Sequence, residues 1–290
     1  MDTQMPEASG FEHLTVTTPG LATHVAVTGR SDGDPVVMLH GFPQHWWQWR
    51  AIAPALGERY RVYCPDMRGS GWTVAEHPGI ARETCMHDLV AVLAALGLDR
   101  VRLVCHDIGA VIGMQFAYTH PDRVEAFVML SVPPPFMSFS PKMMSGLRHL
   151  PPLVMHRPGA SLAGLFDPAH VARPLPPGTV EAYLAPMQIP AIDAAVREQT
   201  RGMILPELMR ISRGVYKKQR MHPPTLCVFG RLDRPWTEDL VRRLSGDLSR
   251  YADRFEFAFV DGAAHYMTDD APEAVTDLVL EHFVGAEAAA

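Results

Sequence analysis

The 290-residue chain lacks most of the features that would assign it to a metal, a membrane or a nucleic acid. It has four cysteines, no CxxC pair and histidines that are scattered singly, so we expect reduced core thiols and no metal. No apolar run is long enough to cross a bilayer, and residues 1–10 lack the pattern of a secretory signal. The net charge is -6 and no basic run is present, which disfavours nucleic acid and anionic membranes. We therefore expect a cytoplasmic protein with no cofactor and a small neutral ligand.

Hydrophobic patterning predicts one large core with an alternating order of strands and helices. The hydrophobic content is 47%, enough for a single core domain with insertions. An antiparallel hairpin is predicted from Leu14 to Thr28. Beyond it, helical stretches separate apolar runs near Val36, Arg61, Val101, Val124, Thr225 and Phe255. This order is typical of a mostly parallel central sheet flanked by helices, an α/β architecture.

The most informative segment is a possible nucleophile elbow at Asp107. The apolar run 101–104 is followed by Cys105-His106-Asp107-Ile108-Gly109 and then by a small-residue stretch. A buried strand, a tight turn with a reactive side chain and a helix are the parts of such an elbow. Asp before a nearby Gly is also common in ordinary turns. An aspartate nucleophile suits displacement at an sp3 carbon, because attack on a carbonyl would leave a mixed anhydride.

Three further segments lie just after predicted strands, at the sheet edge where a nucleophile at Asp107 would need partners. Asp233 follows the run 225–229, and His265 follows the run 255–260, so they are the candidate orienting acid and base. A sharp turn, His40-Gly41-Phe42-Pro43, follows the run 36–39. The backbone amides of Phe42 and Ile108 would then form an oxyanion hole. Ligands in such sheets bind beyond the carboxyl ends of the strands, so these groups are expected to converge.

The alternating rhythm breaks between residues 132 and 224. That region holds 16 of the 26 prolines, and its part from Met137 to Met221 holds 8 of the 16 methionines. It contains no strand-like run of the core type. An apolar, proline-rich insertion is unlike a disordered segment, and methionines suit an irregular apolar cavity, although ordinary helix packing explains most of them. We expect residues 133–224 to form a lid, with residues 1–132 and 225–290 as the core.

The order nucleophile, acid, histidine and the motifs around it resemble the α/β-hydrolase superfamily. The segments 40–43, 66–72 (Asp66-Met67-Arg68-Gly69-Ser70-Gly71-Trp72), 106–109 and 262–265 are most similar to its epoxide hydrolase branch. The resemblance runs from about residue 36 to 270. It implies the α/β-hydrolase fold with a helical lid insertion, and a substrate pocket that includes His40, Pro43, His106, Trp46 and Tyr216. It also implies a cis bond before Pro43. A monomer or a homodimer is expected.

The resemblance also implies a two-step reaction. Asp107 would attack an epoxide carbon and form an alkyl-enzyme ester. His265, held by Asp233, would then activate water to release a vicinal diol.

The sequence differs from the family pattern at the position of the acid that protonates the leaving oxygen. Epoxide hydrolases place two lid tyrosines over the nucleophile, the second in a Tyr-Arg pair. Here the matching segment is Gln199-Thr200-Arg201, so a threonine replaces that tyrosine. The remaining candidates are Tyr183, which we favour, Tyr216, and His156, which lies near the position of the first lid donor.

Two other functions stay open. A haloalkane or haloacid dehalogenase would use the same aspartate and need no lid acid, but such enzymes resemble this chain less at Phe42, Ile108 and Val111. A non-hydrolytic ligand-binding member of the fold is the other alternative, since a fold alone does not establish an activity.

Overall fold

The structure, a computed structural model, describes residues 4–77, 79–143, 150–234 and 236–288. Its centre is a sheet of strands that run in chain order as follows: β1 (Glu12–Thr18), β2 (Leu21–Gly29), β3 (Pro35–Leu39), β4 (Arg61–Pro65), β5 (Val74–Ala75), β6 (Val101–His106), β7 (Val124–Leu130), β8 (Thr225–Gly230) and β9 (Phe255–Val260). The spatial order is β1-β2-β4-β3-β6-β7-β8-β9, with β5 paired to β2. The predicted hairpin and the predicted strands are therefore confirmed, and β5 is an addition.

Strand direction divides the sheet into two parts. The pairs β1–β2, β2–β4 and β2–β5 are antiparallel. From β4 through β3, β6, β7 and β8 to β9 every pair is parallel. Parallel strands that follow one another need crossover connections, and the α-helices supply them. All carboxyl ends of the parallel strands therefore meet at one edge of the sheet.

The α-helices are α1 (Ala53–Leu56), α2 (Arg82–Ala95), α3 (Ile108–Thr119), α4 (Leu150–Val154), α5 (Thr179–Leu184), α6 (Pro190–Gln199), α7 (Leu205–Ser212), α8 (Glu238–Ser245), α9 (Met267–Asp270) and α10 (Pro272–Glu287). Gly97 follows α2 with a φ of 70°, a conformation that glycine adopts without strain. The side chain of Thr237 accepts a hydrogen bond from the amide of Leu240 and caps α8. A glycine after α2 and a threonine cap before α8 thus mark these two helix boundaries.

Two apolar layers cover the two faces of the sheet. Strand β6 is buried at every residue, and its side chains alternate between the layers. Leu103 packs in the same cluster as Leu89 of α2 and Phe116 of α3. Val104 packs instead with Leu56 of α1 and Phe283 of α10. Burial on both faces explains why the parallel strands read as continuous apolar runs.

The segment between β7 and β8 contains α4, α5, α6 and α7, and its described residues include no strand. A π-helical turn, Thr200–Ile204, joins α6 to α7. All four cysteines are buried and unpaired, as expected for core thiols. Among the described residues, no helix is long and apolar enough to cross a bilayer.

Candidate active site

Asp107 occupies the turn between β6 and α3. Its backbone has φ 47° and ψ -120°, a conformation that side-chain-bearing residues rarely adopt. The turn can be this tight because Gly109 follows: a Cβ at that position would lie 2.5 Å from the carbonyl oxygen of Leu39. Non-glycine residues in such strained positions cluster at functional sites. The predicted nucleophile-elbow geometry is therefore present at Asp107.

The loop after β3 reaches the Asp107 carboxylate. The amide of Phe42 donates a hydrogen bond to Oδ2 of Asp107 at 3.0 Å. The approach requires a small residue at Gly41, where a Cβ would lie 2.4 Å from Nδ1 of His106. The Phe42–Pro43 peptide bond is cis, as the resemblance implied. One of the two predicted oxyanion-hole amides thus contacts the nucleophile directly.

His265 and Asp233 form an ion pair at the same edge of the sheet. Nδ1 of His265 lies 3.3 Å from Oδ2 of Asp233, and the Asp233 side chain is only 3% exposed. Burial by itself lowers the pKa of His265, but the Asp233 carboxylate and then that of Asp107 outweigh burial and raise it. The imidazole is therefore oriented by one carboxylate and lies within the field of the other.

The main chain of His265 is fixed by two side chains. Its carbonyl oxygen lies 3.0 Å from Nε2 of His106 and accepts a hydrogen bond from Oγ of Ser131 at 2.9 Å. Burial lowers the pKa of His106 to about 3. A neutral His106 that donates through Nε2 satisfies the carbonyl. His106 thus positions the loop that carries the candidate base.

One cavity of about 210 Å³ connects these groups. The sequence-predicted members of its lining are Phe42, Asp107, Ile108, Asp233 and His265. The insertion between β7 and β8 contributes apolar side chains to the same cavity, among them Leu150, Leu153, Leu165, Ile204, Leu208 and Ile211. An apolar cavity with a few converging polar groups is the usual form of a small-molecule site.

Residues 34–153 match the family model of the alpha/beta hydrolase fold. Over 126 residues the chain is 44% identical to epoxide hydrolase 2 of Siraitia grosvenorii, a match that spans 42% of this chain and 39% of that relative. It is 28% identical to epoxide hydrolase A of Mycobacterium tuberculosis over 94% of this chain and 97% of that one. A solved structure of a candidate epoxide hydrolase from Pseudomonas aeruginosa superimposes with a TM-score of 0.79 at 27% identity, covering 99% of both chains.

The chain is an α/β-hydrolase-fold protein that resembles epoxide hydrolases. The match to the Siraitia grosvenorii relative spans about two fifths of that protein's length. The central sheet and its flanking helices are those of the α/β-hydrolase fold. Asp107, Asp233 and His265 follow one another along the chain in the order that this fold uses for nucleophile, acid and base.

Tyr183, the favoured acid, lies outside the lining of the cavity. Its hydroxyl donates to the Asp269 carboxylate at 2.8 Å and accepts from Nη1 of Arg50 at 2.8 Å. Burial raises the pKa of Tyr183 well above its usual range, and Asp269 adds to this effect. The expectation that Tyr183 overhangs Asp107 is therefore wrong: its hydroxyl joins the segment between β7 and β8 to the core.

The other candidates in the insertion are also engaged elsewhere. His156 pairs with Asp193, Nε2 to Oδ1, at 2.6 Å, and it too is absent from the cavity lining. The Thr200 hydroxyl, at the position of the family's second tyrosine, donates to the carbonyl of Val196 at 2.9 Å. Neither side chain is placed to protonate a leaving group on Asp107.

Tyr216 and Trp46 are core residues, in contrast to their predicted role in the pocket. The Tyr216 hydroxyl donates to Glu207 in a short hydrogen bond and accepts from Nη1 of Arg82 at 2.6 Å. Trp46 is fully buried, with its ring 4.8 Å from that of His13. Both rings are large and apolar, so packing explains their burial.

His40, Pro43 and His106 support the cavity without lining it. Nε2 of His40 accepts from the amide of Met67 at 3.0 Å, and Nδ1 lies 2.8 Å from the carbonyl of Gly41. These bonds hold the turn that carries Phe42. The expectation of direct pocket contact is thus replaced by a positioning role.

The sequence analysis did not identify several lining residues, among them Ser131, His170, Trp236 and Tyr266. Tyr266 had a signal, since it is adjacent to His265. The sequence signal for His170 was weaker: it lies three residues after Asp167, in a proline-rich segment without clear periodicity. Ser131 directly follows β7 and has a φ of 58°, which no sequence pattern indicated.

Proposed function

We propose that the chain is an epoxide hydrolase that opens a small, mostly apolar epoxide to a vicinal diol through an ester on Asp107. One observation carries this proposal: the Asp107 carboxylate, the Phe42 amide and the His265–Asp233 pair border a single apolar cavity. The similarity to epoxide hydrolases along almost the whole chain supports it.

The first step would be displacement at carbon. An Asp107 oxygen forms a bond to one epoxide carbon, and the electron pair of the breaking carbon–oxygen bond moves to the epoxide oxygen. The product is an alkyl ester that water can hydrolyse. An aspartate nucleophile disfavours the serine route of esterases and lactonases, because the elbow holds no hydroxyl.

The second step would use His265 as the base. Its imidazole takes a proton from water as the water oxygen attacks Cγ of Asp107, and Asp233 stabilises the imidazolium that forms. The bond from Cγ to the substrate oxygen then breaks, and that oxygen takes the proton from His265 as the diol leaves. The Phe42 and Ile108 amides would hold the developing oxyanion. Loss of one such donor typically costs about 3 kcal/mol of barrier.

The insertion, which we delimit as residues 133–224, would act as a lid over the core of residues 1–132 and 225–290. Leucine and isoleucine side chains from α4 and α7 line the cavity above Asp107. A mostly apolar roof disfavours competing water and favours an uncharged substrate. This lining is the reason for proposing a small, mostly apolar substrate. We expect a monomer or a homodimer in the cytoplasm.

Dehalogenation is the second candidate, favoured by one observation. Among the described residues, no tyrosine of the insertion lines the cavity, and Trp236 does. A halide leaves without a proton, and an indole N–H can donate to it.

A matched pair of substrates separates the two functions. We would incubate the protein with 1,2-epoxyhexane and with 1-bromohexane, and measure diol and bromide. Diol without bromide is expected. The Asp107→Asn variant should lose this activity, whereas Asp239→Asn, which changes an exposed carboxylate paired with Arg243 on α8, is the matched control. Bromide release without diol would contradict the epoxide hydrolase proposal.

A further inference from the structure

Tyr266, the residue after the candidate base, places a phenol at the cavity that contains Asp107. It lies in the loop between β9 and α9, not in the segment between β7 and β8. The residue is only 2% exposed, and it lines the same cavity as Asp107 and His265. Tyr266 was not among the site residues predicted from the sequence.

Aromatic rings hold the phenol ring of Tyr266 in place. The ring of Phe166 stacks on it, with centroids 4.8 Å apart. The ring of His265 is nearly perpendicular to it at 5.2 Å, and that of His106 lies at 6.2 Å. The amide of Tyr266 donates to the carbonyl of His170 at 3.2 Å. Both the ring and the main chain of Tyr266 are therefore fixed beside the base, as a catalytic group requires.

The hydroxyl of Tyr266 is not used to hold the fold together. Among the described residues it makes no hydrogen bond, and it is not one of their fully enclosed unpartnered polar atoms. The hydroxyls of Tyr183 and Tyr216 differ, because they donate to the carboxylates of Asp269 and Glu207. A largely buried phenol without a protein partner is a donor that a ligand in the cavity can use.

Three other polar side chains at the cavity are poorer proton donors. Glu207 lines it, but its oxygens already accept hydrogen bonds from Tyr216 and from two arginines, so it acts as an acceptor. The Ser131 hydroxyl donates to the carbonyl of His265 at 2.9 Å. The indole of Trp236 can donate a hydrogen bond, but it does not give up its proton at ordinary pH.

The proposed reaction needs a proton at the moment when the epoxide opens. An epoxide oxygen leaves as a strongly basic alkoxide unless it is protonated as its bond to carbon breaks. Burial raises the pKa of Tyr266 well above its usual range, and the Asp107 carboxylate is the next largest cause. The phenol therefore holds its proton in the free enzyme. Once Asp107 has become a neutral ester, its charge no longer opposes a phenolate at Tyr266.

We propose that Tyr266 protonates the epoxide oxygen; this inference rests on the proposed function. An Asp107 oxygen bonds to carbon, the carbon–oxygen electron pair moves to the epoxide oxygen, and that oxygen takes the phenol proton. The products are a neutral ester that carries a free hydroxyl and a phenolate at Tyr266. Hydrolysis of the ester, with His265 as base, leaves Asp107 as a carboxylic acid, and its proton restores the phenol through water.

The experiment compares two epoxides whose leaving oxygens differ in basicity. We would mix each enzyme, in excess, with 1,2-epoxypropane or with 3,3,3-trifluoro-1,2-epoxypropane, quench rapidly, and follow the ester on Asp107 by intact-protein mass. Tyr266→Phe removes only a hydroxyl. Tyr118→Phe is the matched control, because its hydroxyl is buried without a partner and its ring stacks on Tyr216, outside the cavity lining. Ester formation and ester hydrolysis are timed separately, and urea unfolding is measured for each variant.

With Tyr266→Phe, ester formation from 1,2-epoxypropane should slow by about 100-fold or more, the range of general acid catalysis. The loss should be smaller for the trifluoro analogue, whose less basic oxygen depends less on a donor. Ester hydrolysis should change far less, and the midpoint of urea unfolding should stay that of the wild type. Equal losses for the two epoxides, or none, would overturn the role of Tyr266, as would this selective loss in His170→Gln alone.

The pH dependence of ester formation in the wild type separates a phenol from an imidazole as the donor. A phenol with a raised pKa stays protonated, so the rate should be level from about pH 7 to about pH 9. An imidazole would lose its proton over this range, and the rate would fall. Such a fall would overturn the role of Tyr266. A wild-type protein that forms no ester with either epoxide would instead contradict the proposed function, and with it this inference.

Discussion

The amide of Phe42 donates to the Asp107 carboxylate across 3.0 Å, although the two residues are 65 positions apart in sequence. The contact joins the turn after β3 to the elbow after β6, two neighbouring parallel strands. A donor that already contacts the carboxylate needs no reorganisation when negative charge develops on the same group during ester hydrolysis. The geometry therefore suits a reaction in which Asp107 is both nucleophile and site of the later oxyanion.

Replacing His265 with Gln should stop the reaction after its first step. The ester can form, because Asp107 is intact, but water lacks its base, and loss of a catalytic histidine typically slows such a step by 10⁴-fold or more, roughly. Intact-protein mass spectrometry should show one substrate mass added per chain, without diol release. In the double variant with Asp107→Asn, that added mass should be absent. Free diol at the wild-type rate from His265→Gln would contradict the assignment.

Replacing Asp233 with Asn should change the pH dependence of ester hydrolysis. The base must be neutral, so the rate falls as the pH drops through the pKa of His265. Burial opposes the charged form of His265, but Asp233 raises its pKa, so the substitution lowers the pKa and moves the acid limb to lower pH. The maximal rate should also fall, by roughly 10²- to 10⁴-fold, because the imidazole loses its orienting partner. An unchanged limb in rapid-quench measurements would count against this pairing.

Replacing Tyr183 with Phe tests whether this tyrosine has a structural or a chemical role. The hydroxyl bonds to Asp269 and Arg50 rather than facing the cavity. The free energy of unfolding in urea should fall by about 1–2 kcal/mol, while kcat/KM on an epoxide stays within about twofold, as for changes outside an active site. A selective loss of kcat with normal stability would restore Tyr183 as the lid acid.

Replacing Gly109 with Ala should destabilise the elbow. The new Cβ would meet the carbonyl oxygens of Leu39 and His40 at 2.5 and 2.6 Å, and main-chain atoms cannot move aside easily. We expect a loss of about 1–3 kcal/mol in the free energy of unfolding. Gly164→Ala is the control, because its Cβ would enter open space and should change stability by less than about 0.5 kcal/mol. Equal stability of the two variants would show that the close approach is not a constraint.

The fold and the site are most predictable from the sequence where one physical rule fixes the position of a segment. Strands such as β6 and β8 are buried on both faces, so they read as continuous apolar runs, and the residue after each strand must lie at the sheet edge. Asp107, Asp233 and His265 were found in this way. The Phe42 turn had a similar signal, because Gly41 and Pro43 flank Phe42 just after a strand.

The side-chain positions in the segment between β7 and β8 were less predictable, because contacts with residues far away in the sequence determine them. Tyr183 reads as a suitable donor, yet Asp269, 86 positions later, takes its hydroxyl. Trp46 reads as a pocket wall, yet the rings of β1 and β2 residues bury it. His170 carries no periodic signal, and only the docking of its turn on the loop of His265 brings it to the cavity.

The central claim is that an oxygen of Asp107 makes the first bond to the substrate, and single turnover in heavy-oxygen water tests it most directly. Enzyme in excess would open one equivalent of epoxide, and peptide and diol masses would then be measured. The account predicts heavy oxygen in the Asp107 carboxylate and none in the first diol released, because water attacks Cγ of the ester. Heavy oxygen in that diol with an unlabelled Asp107 would contradict it, since water would then have attacked the epoxide itself.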